Sequence, residues 1–233
     1  MKLIQAVKFF LFTFFSVYAY AETTDTFVGL ETLSFKIGYD KTQSVYVHYN
    51  PSLAKIINKD ITDKKSEIFT VNVMDIYLDT SKGEKINILY SDGSSADPEF
   101  LITSLTRNIK SEAIFGLDLY VPGNGSVYVS GHTDNYFDEH KKYIISDGKM
   151  VEVKQPFLYV GLETKAIKNI AIYSEKSSES IVANIPKGTR FSVLVASERY
   201  YLIKTSFGLV GWYHDTNSNE TFDVIEGLHY NGD

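Results

Sequence analysis

Phe191-Ser192-Val193-Leu194-Val195, Tyr200-Tyr201-Leu202-Ile203-Lys204 and Phe207-Gly208-Leu209-Val210-Gly211-Trp212 follow one another with only short turn-forming stretches between them. Each run is rich in β-branched and aromatic residues, the composition of a pleated, half-buried strand. Upstream, Ile170-Ala171-Ile172-Tyr173, Ser180-Ile181-Val182-Ala183 and Pro186-Lys187-Gly188 continue the same pattern. Lys187-Gly188 supplies a flexible turn, Val193 and Val195 share one face, and Gly211 lets the chain bend beside the bulky Trp212. The last third of the chain, 159–215, therefore reads as a small all-β unit.

That succession resembles a bacterial Src-homology-3-like (SH3-like) domain. Its first strand matches Asn169 to Tyr173, its polar loop Ser174 to Ser180 and its next strand Ile181 to Asn184. Lys187-Gly188 follows as the turn, then Phe191 to Val195, Tyr200 to Lys204 and the closing Gly211-Trp212-Tyr213. Members often open with Asn-Val-Arg and Ser-Gly-Pro, where this chain has Ile170-Ala171-Ile172-Tyr173-Ser174-Glu175-Lys176, so its groove-shaping loop is atypical. The resemblance implies a small β-barrel over 157–215 that recruits or targets, binding cell-wall peptides or assisting a neighbouring domain. It also implies a groove near Tyr200, Tyr201, Trp212 and Tyr213, whose rings suit glycans and peptide stems. Burial in a small core is the competing role for the same aromatics.

The other end of the chain bears on compartment. Lys2 and Lys8 precede an apolar run from Phe9 that closes on Ala19-Tyr20-Ala21, the three parts of a secretory signal peptide over 1–21. The run falls short of the roughly 20 apolar residues a spanning helix needs. Cleavage after Ala21 is expected, with no stable membrane insertion afterwards. The 233 residues include no cysteine, which excludes disulfides, a thiol nucleophile and a lipidated cysteine. A secreted eukaryotic domain of this size more often carries disulfides, so the expectation is a bacterial protein of the periplasm or beyond. The formal charge of −6, without a Lys/Arg cluster, argues against nucleic acid.

Between the leader and the barrel-like unit, 25–155 reads as a β-rich domain with one or two short helices. Strands are expected at 33–38, 44–49, 68–78, 85–90, 114–121, 125–130, 142–145 and 150–154, with Val45, Val47 and Tyr49 on one face. Asp79 to Glu84 reads as the turn of a hairpin, and Asp147-Gly148 as another. Asn50-Pro51 and Asp97-Pro98 look like helix starts, Asn or Asp as cap and Pro at the first helical position. Leu53, Ile56 and Ile57 would line the first helix; Phe100-Leu101, Leu105 and Ile109 would line a second over Pro98 to Asn108. Beyond the barrel-like unit, 216–233 is a C-terminal extension whose Ile225 to Tyr230 is apolar enough to return as a last strand.

Two clusters suggest metal chemistry. His132, Asp134 and His140, with Asp138 and Glu139 nearby, offer imidazole and carboxylate ligands for a transition metal. Their spacing matches no recognised zinc pattern, and an exposed polar loop is the plain reading. Asp215, Asn217, Asn219, Asp223 and Glu226 fall at positions 1, 3, 5, 9 and 12 of a calcium-loop template. Glu220 stands where that template needs glycine, which favours an ordinary linker. No serine elbow, Gly-rich phosphate loop or dinucleotide fingerprint occurs.

The expectation is an exported, non-enzymatic binding protein without a cofactor, whose barrel contacts peptidoglycan or an envelope protein. A secreted metal-dependent hydrolase, with the barrel as its targeting module, is one alternative. A subunit of a cell-envelope assembly is the other.

Overall fold

The computed structural model describes residues 27–37, 43–62, 68–93, 97–106, 112–146, 149–216 and 224–231. The expected leader and its cleavage point lie outside them. The described residues are all-β. In the first half the strands are β1 (Glu31–Ile37), β2 (Gln43–Tyr49), β3 (Ala54–Asp60), β4 (Thr70–Asp79), β5 (Glu84–Ser91) and β6 (Glu99–Ser104). They continue with β7 (Glu112–Phe115), β8 (Asp118–Val121), β9 (Ser126–Gly131), β10 (Glu139–Ser146) and β11 (Lys149–Glu152). The second half holds β12 (Leu158–Lys165), β13 (Ile170–Tyr173), β14 (Ile181–Ile185), β15 (Arg190–Ser197), β16 (Tyr200–Thr205) and β17 (Val210–His214).

Two sheets build the first half. One runs β1-β2-β8-β9-β10-β11, with a parallel β2–β8 pair among antiparallel neighbours; the other runs β3-β4-β5-β6-β7. Alternation decides which faces meet. Val45, Val47 and Tyr49 of β2 point inward, as do Ile86, Ile88 and Tyr90 of β5, and they share one core with Leu119, Val127 and Val129. Each such fully buried side chain contributes about 2 kcal/mol relative to an exposed one. The β4–β5 hairpin expected from sequence is closed by Asp79, whose carboxylate accepts from Ser81 N at 2.9 Å, Ser81 Oγ at 2.6 Å and Lys82 N at 3.3 Å.

Neither expected helix forms among the described residues. Asn50 Oδ1 accepts from Ser52 N at 3.1 Å and Ser52 Oγ at 2.8 Å, so the asparagine builds a local turn instead of capping a helix. The chain then extends as β3 along β4, where Ile56 pairs with Met74, and the β-branched Ile56 and Ile57 suit that edge. In 98–108, Phe100 and Ile102 obey a period of two: they are 0 % and 1 % exposed, while Leu105 is 50 % exposed. The free edge of β5 supplies backbone partners for β6, from Ser91↔Glu99 to Ile86↔Ser104. Tertiary pairing thus overrides the local cap-then-proline signal.

The expected strand 114–121 is broken in two. β7 belongs to the five-stranded sheet and β8 to the six-stranded one. At the crossing, Gly116 has φ 156°, and a Cβ there would come within 2.4 Å of Val129 Cγ2. Gly131 faces it, and its own Cβ would lie 2.6 Å from Leu117 N. Both positions require glycine.

The third sheet, β12-β15-β16-β17-β13-β14, comprises the barrel-like segment. No pairing closes β12 onto β14 among the described residues, so in place of the expected closed barrel the hydrogen-bonded order is open. Its inner face carries Ile170, Ile172, Phe191, Val193, Tyr201 and Ile203. Part of that core comes from elsewhere: Phe137 from the β9–β10 loop, and Val224, Ile225 and Leu228 from the C-terminal tail. The tail returns through isolated bridges, Ala166↔Ile225 and Asn135↔Asn231, and not as a regular strand.

Candidate ligand groove

A concavity lined by charged and aromatic residues lies at one end of the third sheet. The β16–β17 ladder sets Tyr200 opposite His214, Tyr201 opposite Tyr213 and Leu202 opposite Trp212. Opposed residues share a face, and the face alternates along the strand. Tyr201 therefore turns into the core with Ile203, 3 % exposed, and burial pushes its phenol pKa up. Tyr200 turns outward and stacks on His214. Of the four aromatics expected around a groove, Tyr201 is core; Tyr200 lines the groove together with His214, and Tyr213, on the face of Tyr201, packs against the core and reaches the groove from that side.

The facing wall is the β13–β14 loop, 174–180, which is folded on itself. Ser174 N donates to Ser180 O at 3.0 Å, Ser178 N to Glu175 O at 3.2 Å and Ser180 N to Ser178 Oγ at 2.9 Å. It brings Lys176 and Glu179 to the groove, with Tyr173 at its base. The concavity is open to solvent and has a volume of about 740 Å³, within the range of ligand pockets. Trp212 does not line it. Its half-buried ring lies beside Phe157, centres 5.9 Å apart, under the ammonium of Lys176.

A second, smaller concavity of about 550 Å³ lies on the first half, among Phe27, Tyr120, Tyr128, Val153, His140 and Lys142. Phe27 stacks on Tyr120 at 4.8 Å and meets Tyr128 edge-on at 4.9 Å, and His48 stacks on Tyr120 at 4.3 Å. Burial, then the charges of Asp118 and Asp138, raises the Tyr120 pKa. The sequence signal was available: if Val45, Val47 and Tyr49 face inward, Tyr46 and His48 must face out. These rings largely cover one another, so fewer faces remain for a ligand than in the first groove.

The expected transition-metal ligands are not brought together. His132 Nε2 donates to the carbonyls of His229 at 2.8 Å and Asn135 at 3.1 Å, and its ring meets that of His229 at 4.7 Å. Asp134 accepts from the Tyr230 hydroxyl. His140 is exposed and lies 3.3 Å from Asp138 Oδ2. Among the described residues no group of three or more His, Asp or Glu side chains could hold a metal ion. What the 132–138 loop does instead is join the two halves: Asp134 N donates to Asn231 O at 2.6 Å, and Asn231 N to Asn135 O at 2.9 Å.

Of the calcium template, Asn217, Asn219 and Asp223 lie outside the described residues. Asp215 is 4 % exposed and held by Arg199, whose Nη2 donates to Oδ2 at 2.6 Å. Glu226 pairs with Lys165 at 3.0 Å. Both described members thus have other partners. Comparison with protein families, with curated proteins and with solved structures finds no match for this chain.

Proposed function

We propose that this chain is an exported, non-enzymatic binding protein whose C-terminal sheet contacts peptidoglycan or an envelope protein through the groove beside Tyr200. In this reading the third sheet is an SH3-like module, and the β13–β14 loop stands where such modules shape their ligand site. The supporting observation is the groove itself: Tyr200 stacked on His214, lined further by core-packed Tyr213 and by Lys176 and Glu179 of the β13–β14 loop. Flat aromatic walls accept a peptide or sugar face, and the flanking charges fix orientation. An acidic chain with no basic cluster suits neither nucleic acid nor an anionic membrane surface. The hydrolase alternative gains no support from the divergent settings of His132, Asp134 and His140.

The test is co-sedimentation of the chain from Glu22 onward with purified peptidoglycan, beside a Tyr200→Ala/Tyr213→Ala variant that retains its cooperative melt. Retention of the parent and loss of the variant supports wall binding through this groove. Retention of both moves the contact elsewhere on the molecule. If neither sediments, the envelope-protein arm is tested by crosslinking from position 179 in envelope extract, where adducts blocked by the double substitution would support it.

A further inference from the structure

Lys176 is enclosed by rings drawn from three separate segments. Its Nζ lies 5.0 Å from the centre of Trp212, 5.5 Å from Phe157 and 5.7 Å from Tyr200. It also donates to Ser197 Oγ at 2.6 Å. Each ring is within the roughly 6 Å over which an aromatic face attracts a cation. The rings come from the residue preceding β12, from the start of β16 and from β17, so the box is assembled only when the sheet folds.

We propose that this three-ring box is the site for the ammonium group of a peptide ligand, and that Lys176 fills it in the free protein and is displaced on binding. The proposal rests on the groove reading, because Lys176 and Tyr200 belong to both. Three observations carry it. First, the ring faces select charge and size and not chain identity, so a ligand ammonium makes the same contacts as Nζ. Second, among the described residues the backbone hydrogen bonds of the 174–180 loop run within the loop, from Ser174 N to Ser180 O and from Ser178 N to Glu175 O. The loop can move as a unit once Lys176 lets go of the rings. Third, Glu175 and Glu179 flank Lys176 in sequence, so its withdrawal leaves an acidic loop beside the incoming cation.

A tethered lysine competes as a local ligand at an effective concentration on the order of millimolar. It therefore acts as an internal inhibitor that a ligand must outcompete. Displacement would also open the groove, since the same loop forms its wall.

Trp212 is the chain's single tryptophan, so its emission reports the box directly. The probes are Nα-acetyl-lysinamide, which carries an ammonium, and its neutral Nε-acetylated counterpart, titrated at matched ionic strength into parent, Lys176→Ala and Lys176→Arg proteins. K176A is expected to give a saturable Trp212 response to the ammonium probe alone, with half-saturation about fivefold below that of the parent, the equivalent of one cation–π contact. K176R should behave as the parent. An equal response to both probes, or equal half-saturation in parent and K176A, overturns the proposal. If K176A loses its cooperative melt, Lys176→Gln, which keeps the stem and drops the charge, takes its place in the comparison. The readout is independent of wall sedimentation: a responsive box with no sedimentation counts against the wall ligand, and sedimentation with a silent box counts against the box.

Discussion

Tyr200 stacks on His214 across the β16–β17 ladder, ring centres 4.2 Å apart and planes 10° from parallel, while its neighbour Tyr201 points to the opposite face. Two adjacent tyrosines should therefore respond oppositely to truncation. Tyr200→Ala is expected to weaken ligand retention about tenfold, a loss of ~1.4 kcal/mol, with little change in the thermal midpoint. Tyr201→Ala empties a core position and should cost about 3 kcal/mol of stability. Urea melts and sedimentation on the same preparations check both. A stability loss as large in Tyr200→Ala as in Tyr201→Ala would remove Tyr200 from the groove wall and assign it to the core.

Phe137 belongs by sequence to the first half yet sits 8 % exposed in the core of the third sheet, beside Ile225 and Leu228 of the tail. Large-to-small truncation there should cost about 3 kcal/mol. The informative readout is Trp212, which lies in the second half. Phe137→Ala should lower the urea midpoint seen by Trp212 fluorescence, because the loop and tail complete that core. An unchanged Trp212 transition would mean that the second half folds without the loop.

The residues that were legible in the sequence are those whose neighbours are local. Val45, Val47 and Tyr49 alternate, and Asp79 with Ser81 and Lys82 makes a turn, so strand and hairpin follow from short-range chemistry. Phe100 and Ile102 were misread as part of a helix because Asp97-Pro98 is a genuine cap-like signal, and the free β5 edge that overrules it lies elsewhere in the chain. The split at Gly116 depends on Val129, thirteen residues on, and no local pattern announces it. At the candidate site, Tyr200 and Tyr213 were reachable from the pattern of the last third. Lys176 was not, since its three rings are gathered only by folding.

Arg199 and Asp215 bracket the β16–β17 hairpin. Beyond the 2.6 Å ion pair, Arg199 Nε donates to Asp215 O at 3.1 Å and Asp215 N to Arg199 O at 2.9 Å. The Asp215 hydrogen bond outweighs the opposing effect of burial and, with the nearby carboxylate charge, raises the guanidinium pKa, so Arg199 stays charged. Arg199→Ala would leave the carboxylate of Asp215 buried without its charge partner; with the arginine itself half exposed, the expected cost is about 2 kcal/mol. If Asp215 serves this ion pair and not a cation, millimolar calcium should leave the thermal midpoint of the parent where chelator leaves it. A calcium-dependent rise that disappears in Asp215→Asn would reverse that assignment.

Glu99 opens β6 opposite Ser91, and burial, followed by the nearby charge of Asp97, raises its carboxyl pKa above the ordinary 4.5. A raised carboxyl pKa means that the folded state holds its proton to a higher pH than the unfolded chain does. Between the unfolded and folded pKa values the native protein binds more protons, so this group's contribution to stability falls as pH rises through that window. Above the folded pKa Glu99 is ionised in both states and its desolvation opposes folding. Below the unfolded pKa it is protonated in both, and the penalty vanishes. Glu99→Gln removes the ionisation and should therefore raise the thermal midpoint at pH 7 while matching the parent near pH 3.5. Melts of parent and variant across that range measure the difference directly. A gap that stays constant with pH would trace the effect to packing in β6, and a gap that widens toward acid would reverse the sign of the shift.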